Sequence, residues 1–407
     1  MAIRFVCPLT GVDVGLATEQ FLRMSIFSAG FRSFFLLAPL YSVLAMSIWM
    51  PLWQGHVGLT LPVAPAYWHG HEMLFGYAAA VLAGFLLTAV PNWTGAPPVA
   101  GARLALLVAV WAAARAAAWV PELVPVAVGA GLDLAFLPLL GLLVGPSILR
   151  SNARRNGVFL IVLALLTAID LRYQLAALGS EWGDAAWSLR TGLGLFTLLI
   201  AIVGGRIVPA FTSNWLKSQG NPAIVRSEPW RDRAALAVLL ALVVAEAAGA
   251  SDAAVGSLAA AAAALHAWRL AGWQGIETVR APILWVLHLG YAWLVVGLAL
   301  KAAALLGGLL PETAAIHALT AGAVGTMTLA VMSRAALGHS GRKLVASRAT
   351  VAAYVLVTIA AMLRVGAGIA PGSYAAALIE GAGIAWILGF GAFVTAYFPI
   401  LCFRARS

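Results

Sequence analysis

The sequence predicts an all-α polytopic membrane protein of about twelve transmembrane helices with both termini cytoplasmic, from composition, the length of its apolar runs and the placement of its basic residues. Of 407 residues, 62% are hydrophobic and only 10% charged, with mean hydropathy +0.95. Soluble domains carry about a quarter charged residues, so a bilayer has to be the solvent. The net charge of +10 and pI near 10.2 do not mark a nucleic-acid binder, because Lys and Arg fall in short loops between apolar runs rather than in a patch.

A span needs about twenty apolar residues in succession. Such runs occur near residues 34–53, 72–90, 103–120, 124–149, 157–179 and 188–212, and again near 233–249, 253–270, 282–306, 313–336, 348–369 and 374–403. Arg150, Arg154 and Arg155 share one loop; Lys217, Arg226, Arg231 and Arg233 a second; Arg269 and Arg280 a third; Arg342, Lys343 and Arg348 a fourth. These loops alternate with ones that carry acids or no cation, and the positive-inside rule then puts both termini in the cytoplasm. A polar lead with Arg4, Asp13, Glu19, Arg23 and Arg32 precedes the first run, so no cleavable signal peptide is expected. Cys7 and Cys402 form no CxxC pair, which argues against a thiolate metal site.

The whole chain, 1–407, reads as one integral membrane domain: two six-span halves, about 1–212 and 233–407, joined by a basic cytoplasmic loop, 213–232. A faint echo links the halves. His71, Gly76, Thr94 and Gly95 share spacing with His317, Gly322, Ser340 and Gly341.

Ionisable groups at membrane depth are costly and by default functional or paired. In this topology Glu72, Arg115, Asp133, Asp170, Arg172, Glu246, Arg364 and Glu380 fall in the outer halves of their spans, with His69, His71, Lys301 and His317. A single polar site near the outer face is the simplest account, although Arg115, Lys301 and Arg364 taken singly could snorkel to headgroups. His69 and His71 lie two apart: on a helix they point to nearly opposite sides and serve two centres, while on an extended segment both can bind one copper. His317 enters its span from the same side and is a candidate ligand; His288 is either a ligand or a buried hydrogen-bonding residue; His339 is at a helix end, where capping competes with ligation. His56 and His266 read as interfacial. No P-loop, dinucleotide fingerprint, CxxCH, HExxH or nucleophile elbow is present.

Three early blocks, Phe31-Arg32-Ser33-Phe34-Phe35, Trp68-His69-Gly70-His71-Glu72-Met73-Leu74-Phe75-Gly76 and Ala83-Gly84-Phe85 through Pro91-Asn92-Trp93-Thr94-Gly95, resemble the NnrS family. Gly204-Gly205-Arg206-Ile207-Val208-Pro209, Leu284 through His288-Leu289-Gly290-Tyr291, His317 and Gly338-His339-Ser340-Gly341-Arg342 agree in order and spacing, so the resemblance covers nearly the whole chain.

The resemblance implies a bacterial inner-membrane protein that binds haem, of b type, and copper, and is linked to denitrification and nitric oxide tolerance. It carries His69, His71, His288, His317 and His339 over as cofactor ligands, as a six-coordinate haem plus a three-imidazole copper or a five-coordinate haem facing copper, with His69, His71 and His317 as the metal candidates. On that reading the ligand is nitric oxide, with electrons from a donor the sequence does not name. Arg115, Arg172 and Arg364 pair with propionates, and Glu72, Asp133, Asp170, Glu246 and Glu380 relay protons. The competing classes are a twelve-span solute or metal transporter, with Gly204-Gly205, Pro209 and Pro138 as helix breaks near a midplane site, and a haem-holding sensor or assembly factor without turnover.

Overall fold

A computed structural model of the protein describes residues 26–151 and 154–403. Cys7 and the lead residues Arg4, Asp13, Glu19 and Arg23 lie outside these, and nothing is described of the Arg154 and Arg155 side chains.

Among the described residues the chain forms twelve long helices: α1 Gly30–Trp53, α2 Pro65–Thr94, α3 Ala102–Trp119, α4 Val126–Arg150, α5 Val158–Ala177, α6 Ala185–Ser218, α7 Pro229–Ala247, α8 Asp252–Ala271, α9 Pro282–Gly307, α10 Glu312–His339, α11 Arg348–Ala367 and α12 Gly372–Cys402. Eleven are long and apolar enough to cross a membrane. The exception is α7, which carries Arg231, Asp232 and Arg233 in its first turns and Glu246 near its end. It still packs between α6 and α8, as the expected seventh rod.

Burial identifies the central helices. Within their apolar windows α2 is 78% buried and α10 67%, against 28% for α4, so α2 and α10 face protein where α4 faces lipid. Small residues make this packing tight. A Cβ on Gly84 would come within 2.7 Å of the Phe35 ring, and one on Gly290 within 3.0 Å of the Met327 backbone nitrogen.

Two boundaries differ from the sequence reading for identifiable reasons. Helix α6 runs on to Ser218 because Leu216, buried at 1% exposure, extends the packed face, so the central connection shrinks to residues 219–228. Helix α2 begins at Pro65, whose fixed φ suits the first turn. The segment carrying His69 and His71 is therefore helical, not extended. Pro138 and Gly204-Gly205 do not break their helices: α4 and α6 are continuous, and Gly205 instead makes room for Arg269, whose guanidinium would lie 2.0 Å from a Cβ there. The broken helices that motivated a transporter reading are thus not found in α4 or α6.

Both α2 and α10 contain a seven-residue π-helical stretch, Glu72–Ala78 and Ala318–Val324, and each starts immediately after one of the two spaced histidines, His71 and His317. A left-handed glycine follows each rod, Gly95 (φ 71°) directly after α2 and Gly341 (φ 68°) two residues after the end of α10, where a side chain would be strained. Isolated π turns concentrate at functional sites.

Arg32 belongs to α1, not to the lead. Its guanidinium donates to the carbonyls of Ile400 (2.9 Å), Leu401 (3.1 Å) and Phe403 (3.3 Å), capping the end of α12 and bringing the first and last helices together on one side of the bundle. Arg32→Met is expected to cost about 1–3 kcal/mol, read as a lower thermal midpoint of the detergent-purified protein.

Candidate functional site: an imidazole-lined cavity beside a buried carboxylate cluster

The helical start of α2 divides the histidine pair. His69 and His71 are separated by about 200° around the axis, and each faces its own site.

On one side, α1, α2, α6, α10, α11 and α12 enclose a cavity of about 460 Å³ whose walls are mostly apolar, including Met46, Trp49, Met73 and Trp386. Its polar lining includes His69, His317, Arg190 and Arg364. The His69 ring stacks on Trp49 with centroids 4.3 Å apart, and its Nδ1 is buried without a hydrogen-bond partner among the described residues. The His317 Nδ1 lies 2.7 Å from the Thr313 carbonyl. A carbonyl only accepts, so Nδ1 carries the proton and Nε2 keeps its lone pair, the state a metal-binding imidazole requires.

On the other side, five helices bury a polar cluster around His71. Its Nδ1 is 3.0 Å from Glu72 Oε1, and its Nε2 is 3.0 Å from Asp170 Oδ1 and 3.6 Å from Asp133 Oδ2. Arg115, from α3, donates to both Glu72 oxygens (2.8 and 2.7 Å) and pairs with Asp133. Tyr41, from α1, donates to Glu72. Gln174 stands one turn beyond Asp170 on α5, its amide nitrogen 3.2 Å from Asp133 and 3.1 Å from Asp170. Gly76, in the π-helical stretch, admits this arrangement: a Cβ there would lie 2.8 Å from the Tyr41 ring and 3.1 Å from the Arg115 guanidinium.

A family model described as NnrS protein matches residues 25–405. The chain belongs to the NnrS family. A search of curated proteins finds no match.

The NnrS assignment makes haem and copper the cofactors to test against these two sites. Haem suits the cavity. It offers two imidazoles, one with an unpartnered buried nitrogen and one with a fixed tautomer, apolar walls for a macrocycle, and two guanidinium groups for carboxylate side arms. Its volume lies within the ~300–1,000 Å³ usual for cofactor pockets. A three-imidazole copper does not suit the fold, because His71 turns both ring nitrogens to carboxylates while His69 and His317 line the cavity.

The other candidate residues of this NnrS chain separate further. The single outer polar site expected from depth alone resolves into distinct groups. Of the three arginines proposed for propionates, only Arg364 lines the cavity; Arg115 is engaged by Glu72 and Asp133, and Arg172 lies over Trp187, 3.8 Å from Asp184. Of the five relay carboxylates, Glu72, Asp133 and Asp170 meet around His71; Glu246 instead pairs with Lys301, which also reaches Glu312 (3.3 Å), and Glu380 is exposed on α12. Neither His288 nor His339 lines the cavity. His288 Nε2 bonds the Thr212 hydroxyl at 2.9 Å, and the His339 ring packs 5.7 Å from that of Phe31.

His266 is not interfacial: it is fully buried on α8, with Nδ1 2.7 Å from the Tyr291 hydroxyl. Arg190, Tyr41 and Gln174 were not picked out by sequence reasoning. Gln174 had a signal, since it stands four residues after Asp170 on one helical face. Arg190 had a weaker one, as a lone cation at the start of a long apolar run.

Proposed function

We propose that this protein is a haem-binding protein of the bacterial inner membrane that acts in nitric oxide metabolism or tolerance, with haem held in the cavity between His69 and His317. The observation that carries the reading is the convergence of these two imidazoles on one apolar, arginine-bearing cavity. Haem bound there supplies an iron centre able to bind nitric oxide and exchange electrons with it. The chain's own groups do the rest. Thr313 fixes the His317 tautomer, Trp49 holds the His69 ring by stacking, and Arg190 and Arg364 offer charge-assisted hydrogen bonds to carboxylates. The apolar walls, Met46, Met73 and Trp386 among them, offer surface for the faces of a macrocycle. The paired π-helical stretches after His71 and His317 support a construction from two six-helix halves.

A reduced-minus-oxidised absorption spectrum of the detergent-purified protein, with extraction and identification of its pigment, tests this. The expected result is a sharp haem signal near one equivalent that shifts on titration with nitric oxide. A colourless protein with an intact fold would remove the reading. Steady-state consumption of nitric oxide with an artificial electron donor then separates an enzyme from a binding protein.

A further inference from the structure

The cluster around His71 holds more negative charge than its cations balance. Glu72, Asp133 and Asp170 contribute three carboxylates, and the only other charged groups facing them among the described residues are the Arg115 guanidinium and His71 itself. With a neutral imidazole the group carries −2, and with an imidazolium −1, inside a protein whose surroundings are lipid, where uncompensated charge is costly.

Four polar side chains also crowd one point. Both ring nitrogens of His71 face carboxylates, Nδ1 toward Glu72 and Nε2 toward Asp170, each at 3.0 Å, and the Gln174 amide nitrogen lies 3.2 Å from Asp133 and 3.1 Å from Asp170. The amide keeps its shape when turned over, which puts its oxygen where its nitrogen stands, an arrangement that a cation between the groups favours.

A cation at the centre offsets the excess negative charge, and the spacing suits one. Among His71 Nε2, Asp133 Oδ2, Asp170 Oδ1 and the Gln174 amide, five of the six separations are 3.6, 3.0, 3.3, 3.2 and 3.1 Å. Tetrahedral coordination with bonds of about 2.0–2.1 Å sets its ligand atoms roughly 3.3–3.4 Å apart. The His71, Asp133 and Asp170 donor atoms all lie within 4.8 Å of one another and all three residues are buried. Glu72 holds the Nδ1 of His71 at 3.0 Å, the carboxylate–histidine support common behind metal-bound imidazoles.

We infer that His71, Asp133, Asp170 and the amide oxygen of Gln174 form a second metal site, separate from the cavity, that takes a divalent first-row cation through one nitrogen and three oxygens. Binding displaces the proton from His71 Nε2 and brings the cluster to neutrality with Arg115. One imidazole with three oxygens, and no thiolate or thioether, selects a borderline divalent ion over Cu(I).

Equilibrium dialysis of radioactive Zn²⁺ against chelator-treated, full-length protein in detergent tests the site, with X-ray absorption at the zinc edge on the same sample. The expected result is one saturable equivalent in the wild-type protein, with a first shell of nitrogen and oxygen near 2.0–2.1 Å and no sulfur. That binding is lost in Asp133→Asn and Asp170→Asn, and weakened about 10–100-fold in Glu72→Gln, which removes only the support behind His71. Haem content, read on the same samples, stays at the wild-type level, so failure of this site and failure of the cavity reading are distinguishable. Gln174→Leu supplies a milder variant where the aspartate changes impair folding. Wild-type protein that retains no more Zn²⁺ than an Asp133→Asn, Asp170→Asn double variant, or a zinc shell containing sulfur, would overturn the inference and leave His71 sharing protons with its carboxylates.

Discussion

Replacing His69 or His317 by alanine is expected to remove the haem absorption of the purified protein, whereas His288→Ala and His339→Ala leave it in place. The difference follows from placement. His69 and His317 share the lining of one cavity, whereas His288, bonded through Nε2 to Thr212, and His339, packed on Phe31, lie outside that lining. Losing a group that merely supports a ligand costs about 10–100-fold in metal affinity, so losing the ligand itself should cost at least that, and haem should be depleted on purification. The apolar walls around His69 also make a specific rescue available: imidazole added to His69→Ala has a cavity of the right chemistry to fill and should restore part of the spectrum. Stoichiometric haem in both variants would show that the cavity is not the haem site.

The rods were legible in the sequence because membrane spans are set by length and apolarity, and both are local properties. Helix α7 was legible for the same reason, although Arg231, Asp232, Arg233 and Glu246 shorten its apolar stretch. Site partnership was less so. The two-residue spacing of His69 and His71 already implied two centres if the segment were helical, and Pro65 at the start of α2 decides that it is. Depth in the membrane placed Arg115, Arg172 and Arg364 at one level, but it carries no angular information; only packing shows that Arg115 faces Glu72 and Asp133 while Arg364 faces the cavity. His266 looked interfacial because Arg269 lies near it in sequence, and it is buried because Arg269 itself turns inward to Asp232 (2.7 Å) and the Tyr291 hydroxyl (2.6 Å). A charged neighbour marks a helix end only when its charge reaches water.

The second large effect is expected at Arg115. Among the described residues it is the one guanidinium at the carboxylates of the His71 cluster, almost fully buried, and it holds both oxygens of Glu72 as well as Asp133. Arg115→Met keeps most of the side-chain volume but leaves those carboxylates without their fixed positive partner. Removing one member of a buried ion pair costs about 3–5 kcal/mol, because the other charge remains buried and unpaired. The variant should therefore show a sharply reduced yield of monodisperse protein and a lowered thermal midpoint. Arg115→Lys should recover only part of the loss, since an ammonium is a point charge and cannot span two carboxylates as the planar guanidinium does. Adding Glu72→Gln to Arg115→Met removes one of the stranded charges, so the double variant should be more stable than Arg115→Met alone, the non-additive outcome that a direct partnership requires. Additive losses would instead mean that Arg115 contributes through packing and that the charge of Glu72 is balanced by a protonated His71. The size of the coupling measures how much of the cluster's charge balance rests on this one side chain, and so how far the fold of α2 through α5 depends on the groups that surround His71.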